Sequence, residues 1–95
     1  MIFLSPQAKK EIDKLPKPEG NRILKRLREF EKTGRGDMEN IEDGLRRLRI
    51  GDYRAYYHPK GDDIYILRVL HRRSVYRREL IDVLLKGLPR RRGKH

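Results

Sequence analysis

Cysteine is absent from the 95 residues, glutamine occurs once and asparagine twice. Without cysteine there is no disulfide framework, no thiolate zinc site and no thiol nucleophile. No apolar stretch approaches the ~18 residues of a membrane span. The opening MIFLSPQAKK has no basic leader followed by an apolar run, so a secretory signal is not expected there. These absences point to a soluble cytoplasmic protein without membrane contact. Few amides beside abundant Lys, Arg and Glu resemble a hyperthermophile composition. Apolar residues are also scarce, 36% against 41% charged. That balance borders on disorder, but the apolar residues recur at helix and strand spacing, so a folded domain with a charged shell is expected. Ninety-five residues suffice for one small domain, in which roughly 60–65% of the unfolded surface is buried.

What is abundant is positive charge, a net +11, and it is unevenly placed. Residues 1–44 hold ten Lys/Arg against nine Asp/Glu, whereas residues 45–95 hold fifteen against five. A one-sided excess of that kind is the footprint of a polyanionic partner, nucleic acid first and an acidic protein second. A generally basic thermophile surface is the plainer alternative.

Met1–Leu4 is a short apolar run that fits one buried strand. Ser5 then suits an N-cap with Pro6 at the first helical position. Ala8, Ile12 and Leu15 form one face of a helix that stops before Pro16. Pro18 opens a second helix with Ile23, Leu24, Leu27 and Phe30 as its apolar stripe, closed by Thr33-Gly34. The two make a helical hairpin whose apolar edge must lie on something flat. Gly34–Gly44 (GRGDMENIEDG) reads as a solvated acidic connector pinned by Met38 and Ile41. Its carboxylates lack a metal-ligand spacing, so no metal site is expected.

From Leu45 to Arg78 the chain reads LRRLRIGDYRAYYHPKGDDIYILRVLHRRSVYRR. Alternation gives Arg47 and Arg49 outward, Leu48 and Ile50 inward. Gly51-Asp52 turns the chain, and Tyr53, Ala55 and Tyr57 then share a face opposite Arg54, Tyr56 and His58. Pro59–Asp62 is a second hairpin signal. Asp63–His71 follows with Tyr65, Leu67 and Val69 on one face and Ile64, Ile66, Arg68 and Leu70 on the other, as a central strand would. A last helix from about Ser74 to Lys86 covers part of the second face through Tyr76, Leu80, Val83 and Leu84, and Gly87 and Pro89 end it. The expected fold is α+β, a twisted, largely antiparallel sheet with the hairpin on one face and a C-terminal helix. The domain spans 1–88, and 89–95 form a flexible basic tail.

On this frame Arg47, Arg49 and Arg54 share an outward face, and Arg72, with Arg73, sits where the third strand leaves the sheet, one helical turn before Tyr76. Guanidiniums bind phosphate bidentately and a phenol offers a stacking surface. The alternative reading is arginines on a solvent face with Tyr76 in a helix core.

The runs LRRLRIGDYRAYY and ILRVLHRRSVY, with the order of elements, resemble RelE-type toxins of the RelE/ParE superfamily over about residues 2–86. The resemblance implies a RelE-like, microbial RNase-like domain and a ribosome-dependent mRNA endonuclease that cuts in the ribosomal A site. It implies a RelB-type antitoxin as partner, mRNA and rRNA as further partners, and no cofactor or metal. The toxin would be monomeric alone and hetero-oligomeric with its antitoxin. By the same resemblance Arg54 contacts the scissile phosphate, Arg72 stabilises transition-state charge and Tyr76 stacks on the substrate base. Arg47 and Arg49 fall where relatives carry two basic residues on the preceding strand. Arg46, Arg68, Arg73, Arg77 and His71 are expected as further RNA contacts. Arginine stays protonated and is a poor general base, so His58 or His71 is the candidate proton carrier. Two other readings stay open: a ParE-type toxin acting on DNA gyrase, and a non-catalytic nucleic-acid or ribosome-binding module.

Overall fold

A computed structural model describes residues 1–74 and 78–88. Its elements in chain order are β1 (Ile2–Leu4), α1 (Pro6–Asp13), α2 (Lys17–Thr33), β2 (Asp37–Glu42), β3 (Leu45–Ile50), β4 (Tyr53–Lys60), β5 (Asp63–His71), a 3-10 turn at Arg72–Ser74 and α3 (Arg78–Lys86). The sheet runs β1-β5-β4-β3-β2, with β1 parallel to β5 and every other pair antiparallel. This is the expected α+β arrangement with helices on both faces; β4 is the middle strand, and β5 lies inside the sheet between β1 and β4.

The hairpin forms where capping and periodicity predict it. Ser5 Oγ accepts from Ala8 N at 3.0 Å and donates to Leu67 O at 2.7 Å, so one side chain caps α1 and ties it to β5. Gly34, at φ 69°, closes α2 in a left-handed C-cap that a side chain would strain. At Gly36 an added Cβ would lie 2.8 Å from Leu48 Cδ1 and 2.9 Å from Phe30 Cδ1, so the chain leaves α2 flush against the core. That core is Ala8, Ile12, Ile23, Leu27 and Phe30 from the helices, set on Leu48, Ile50, Ala55, Tyr57, Ile66 and Val69 of the sheet.

Three expectations are corrected. The acidic connector is not loop: Asp37–Glu42 is the edge strand β2. Asp37 lies opposite Arg49 and Glu39 opposite Arg47, so opposite charges across the strands compensate for weak strand-forming residues. Second, Leu67 and Val69 do not share a face. The β4–β5 register shifts at Tyr56/Tyr57, pairing Tyr56 with Arg68 and Tyr57 with Ile66, and the extra residue Leu67 reverses the alternation. Val69 therefore packs under the hairpin, and Leu67 joins a second cluster built on Leu45, Tyr56, Leu84 and Leu88. Third, Met38 and Val83 are not core residues, being 37% and 64% exposed, while Ile41 does pack on the second cluster. α3 holds that cluster with Leu84 and tethers itself to β2 through Arg78, whose guanidinium donates to Glu42 at 2.8 Å. Tyr76 and Arg77, and the 89–95 tail, lie outside the described residues.

The bulge creates a need that α1 meets. β1 pairs with β5 only as far as Ile66. Beyond it Ser5 takes the carbonyl of Leu67, and Glu11 accepts from Val69 N at 2.8 Å and from Arg68 Nε at 2.7 Å. One carboxylate thus satisfies a strand N–H and a guanidinium that neighbouring strands leave open.

Candidate nucleic-acid interface

The tight β3–β4 turn gathers the arginines. Register sets Arg49 directly opposite Arg54 and Arg47 opposite Tyr56, all on the face that α3 only partly covers. Arg54 Nη1 donates to the turn carbonyls of Gly51 and Tyr53, each at 3.0 Å, and only 9% of the residue is exposed. From the end of β5, Arg72 N donates to Asp52 O at 2.7 Å, and Arg72 Nε stands 3.7 Å from Asp52 Oδ1. Arg49, Arg54 and Arg72 are therefore organised around Gly51-Asp52. Arg49 and Arg72 have exposed side chains, at 60% and 58%.

Each has an acidic or carbonyl neighbour. Arg49 Nη1 pairs with Asp37 at 3.4 Å, both ends in solvent. Such a pair contributes about 0–1 kcal/mol, so a phosphodiester anion bound bidentately by the guanidinium can displace it. Arg47 differs. It faces the same way but is buried, its guanidinium 5.8 Å above the Tyr56 ring and its Nε donating to Glu39 at 3.0 Å. Burial works against its charge, but the Glu39 carboxylate and the Tyr56 hydroxyl outweigh that and hold its pKa above the ordinary value. Arg47 is a fixed cation under the face, and Arg49 is the reachable one.

Other candidates go elsewhere. Arg68 is bonded to Glu11 on α1, with an ion pair of 2.6 Å. Arg46 points to the hairpin side beside Tyr57, lining a cavity of about 440 Å³ with Phe30 and Ile64. Its Nε and the Tyr57 hydroxyl are both buried without a hydrogen-bond partner. Burial pushes the Tyr57 phenol up, and the nearby Arg46 charge pulls against it. His71 lies across from Tyr53, ring centroids 5.4 Å apart, on the side away from Arg49 and Arg54, and its Nδ1 accepts from Arg73 N at 3.2 Å. His58 sits at the far end of β4, its Nδ1 3.3 Å from Gly44 O, four residues and so about 13 Å from Arg54 along the strand. Neither histidine joins the arginine group. Arg73 is exposed. Asp37, Glu39, Asp52 and Glu11 escaped sequence reasoning; alternating acids in DMENIE, opposite to LRRLRI in sign, were the one available signal for the first two.

The family model for the ParE toxin of type II toxin–antitoxin systems (parDE) matches residues 2–76. The chain belongs to this toxin family. Solved structures of the wider superfamily agree with the fold. The RelB–RelE antitoxin–toxin complex of Methanococcus jannaschii is similar at 26% identity and TM-score 0.64, covering 78% of this chain and 94% of that one. The RelE–RelB complex of Pyrococcus horikoshii OT3 gives 27% and 0.64, with 78% and 96% covered. The ParDE system of P. aeruginosa is similar in fold, at 19% identity and TM-score 0.59, with 74% and 92% covered. Compared with curated protein sequences, the toxin finds no match. Among its described residues no helix is long and apolar enough to cross a membrane.

Proposed function

We propose that this toxin is a RelE-type endoribonuclease that cuts mRNA on the ribosome and is restrained by an acidic RelB-type antitoxin. The observation that carries this reading is the gathering of Arg49, Arg54 and Arg72 around one turn on an incompletely covered sheet face. The chemistry needs little else from the protein. The ribose 2′-hydroxyl gives its proton to solvent as its oxygen attacks the adjacent phosphorus; the bond to the 5′-oxygen breaks and that oxygen takes a proton from solvent, leaving a 2′,3′-cyclic phosphate and a 5′-hydroxyl. Charge builds on the non-bridging oxygens. Guanidiniums fixed beforehand by Gly51, Tyr53 and Asp52 stabilise that charge more than the ground state. Tyr76, four residues past Arg72, supplies the stacking surface. Placement of the mRNA by the ribosome contributes much of the rate, so the free protein is a poor nuclease. The antitoxin assignment follows from the similar RelB–RelE complexes and from the basic charge an acidic segment would neutralise.

Primer extension on mRNA translated in the presence of the toxin tests this. Discrete breaks within codons are expected, reduced about 10²–10³-fold by Arg72→Ala, the size of effect seen when one transition-state donor is removed, and reduced also by Tyr76→Ala. A second reading, a gyrase-directed toxin, is favoured by the ParE family match itself. Inhibited gyrase supercoiling without ribosome-dependent cleavage would establish it instead.

A further inference from the structure

The charge asymmetry along the chain is partly inverted in space. Four carboxylates of residues 1–44 reach into the second half: Glu11 to Arg68, Asp37 to Arg49, Glu39 to Arg47 and Glu42 to Arg78. Glu31 pairs with the N-terminal amine. With these acids engaged elsewhere, most cations of α2 stand outside the ion pairs, and of the arginines there Arg26 alone is paired among the described residues. Arg22, Lys25, Arg28 and Lys32 are all exposed and enter none of the ion pairs among the described residues. Spaced three, three and four residues apart, they form one stripe about 15 Å long. It lies opposite the buried Ile23, Leu27 and Phe30. Glu29, the acid on that flank, is turned to Arg26 at 3.7 Å.

We propose that the outer face of α2 is a docking surface for the phosphodiester backbone of a nucleic-acid duplex, on the opposite side of the sheet from the arginine group. A row of cations outside any ion pair, spaced along one helix, offers what backbone contact requires. The stripe has no apolar companion: among the described residues the exposed large hydrophobic ones are Met1, Phe3, Met38 and Val83, and none belongs to α2. A helix that lies on a membrane buries apolar side chains, and a protein interface is centred on apolar or aromatic anchors. The surface does not depend on whether the sheet cuts RNA.

The test measures binding of the full chain to labelled 16-base-pair RNA and DNA duplexes by fluorescence anisotropy across a salt series. The variants are Lys25→Gln/Arg28→Gln/Lys32→Gln and, separately, Arg49→Ala/Arg72→Ala, with the 89–95 tail kept in all. The α2 variant is expected to lose about tenfold or more in affinity and to flatten the slope of log K against log salt by roughly 2–3, near 0.9 per phosphate contact. A circular dichroism spectrum matching the parent shows that the fold is kept. Affinity and slope within twofold of the parent would overturn the proposal. So would loss of binding to anionic vesicles with duplex binding intact. Tighter binding of RNA than DNA identifies the duplex as RNA, and equal binding a nucleic-acid backbone in general; both support the surface. A chain that binds duplex through α2 yet leaves translated mRNA uncut sinks the nuclease reading alone. Cutting with α2-independent binding sinks this one alone.

Discussion

On the hairpin side of the sheet, Leu48, Ile50, Ala55, Tyr57, Ile66 and Val69 meet two helices, and Arg68, which emerges at the sheet's edge, is locked to Glu11. On the α3 side the same strands present Leu45 and Tyr56 under Leu84 and Leu88, with Arg47, Arg49 and Arg54 beside them. Among the described residues, the first side is covered by the 25 residues of α1 and α2 and the second by the nine of α3. Stability concentrates where coverage is complete, and reachable charge remains where it is not. Arg68 and Arg49 illustrate the contrast: each is bonded to a carboxylate, but one pair closes a sheet edge and the other stands in water.

The contrast can be broken from both sides. Leu48→Ala, at a fully buried position beneath the hairpin, is expected to destabilise by about 2–5 kcal/mol in chemical denaturation. Glu11→Ala should cost about 2–4 kcal/mol, because it orphans a half-buried guanidinium and the Val69 N–H together. Glu11→Gln, which keeps one acceptor, should cost less. Leu84→Ala is expected near 2 kcal/mol and to act locally, raising amide exchange in 78–88 before the sheet is affected. Acid should loosen the same helix. The hydrogen bond from Arg78 lowers the Glu42 pKa, so the tether is complete above the ordinary carboxylate range and is lost as pH falls through the lowered value. The protection of α3 amides, taken relative to intrinsic exchange at each pH, should therefore fall at acid pH in the parent and fall less in Glu42→Gln, where only the Asp82 contact of Arg78 still titrates. Asp37→Asn is expected to change stability by no more than about 0.5 kcal/mol. It should nevertheless tighten RNA binding, since Arg49 loses its competing carboxylate; weaker binding would mean that Asp37 orients Arg49 rather than occupying it.

Much of this was legible in the amino-acid order because it is local. Ser5-Pro6, Thr33-Gly34 and the two turns at Gly51-Asp52 and Gly61-Asp62 carry their own conformational instructions, so α1, α2 and β3–β5 fall where the pattern places them. What stayed hidden is non-local. β2 consists of residues that seldom form strands alone, and it persists through Arg47 and Arg49, which follow later in the chain. The bulge at Leu67 cannot be found by counting alternation, since alternation is what it violates. Arg68 looked like one more phosphate ligand because its partner, Glu11, lies 57 positions away. For the candidate site, the grouping of Arg49, Arg54 and Arg72 was readable, and the acids that attend them were not.

The edge strand has a bearing on solubility as well. β2 leaves one side of the sheet without a neighbour, and a free strand edge is a template on which other chains can stack into fibrils. Asp37 and Glu39 stand along that edge, so a second copy arriving antiparallel would bring carboxylate against carboxylate. Neutralising both at once would turn the segment into NMQNIQ-like amide chemistry only if Glu42 were changed as well; with Glu42 kept, one acid still guards the end nearest α3. The residues that temper the arginines on one face of the toxin thereby also discourage it from polymerising.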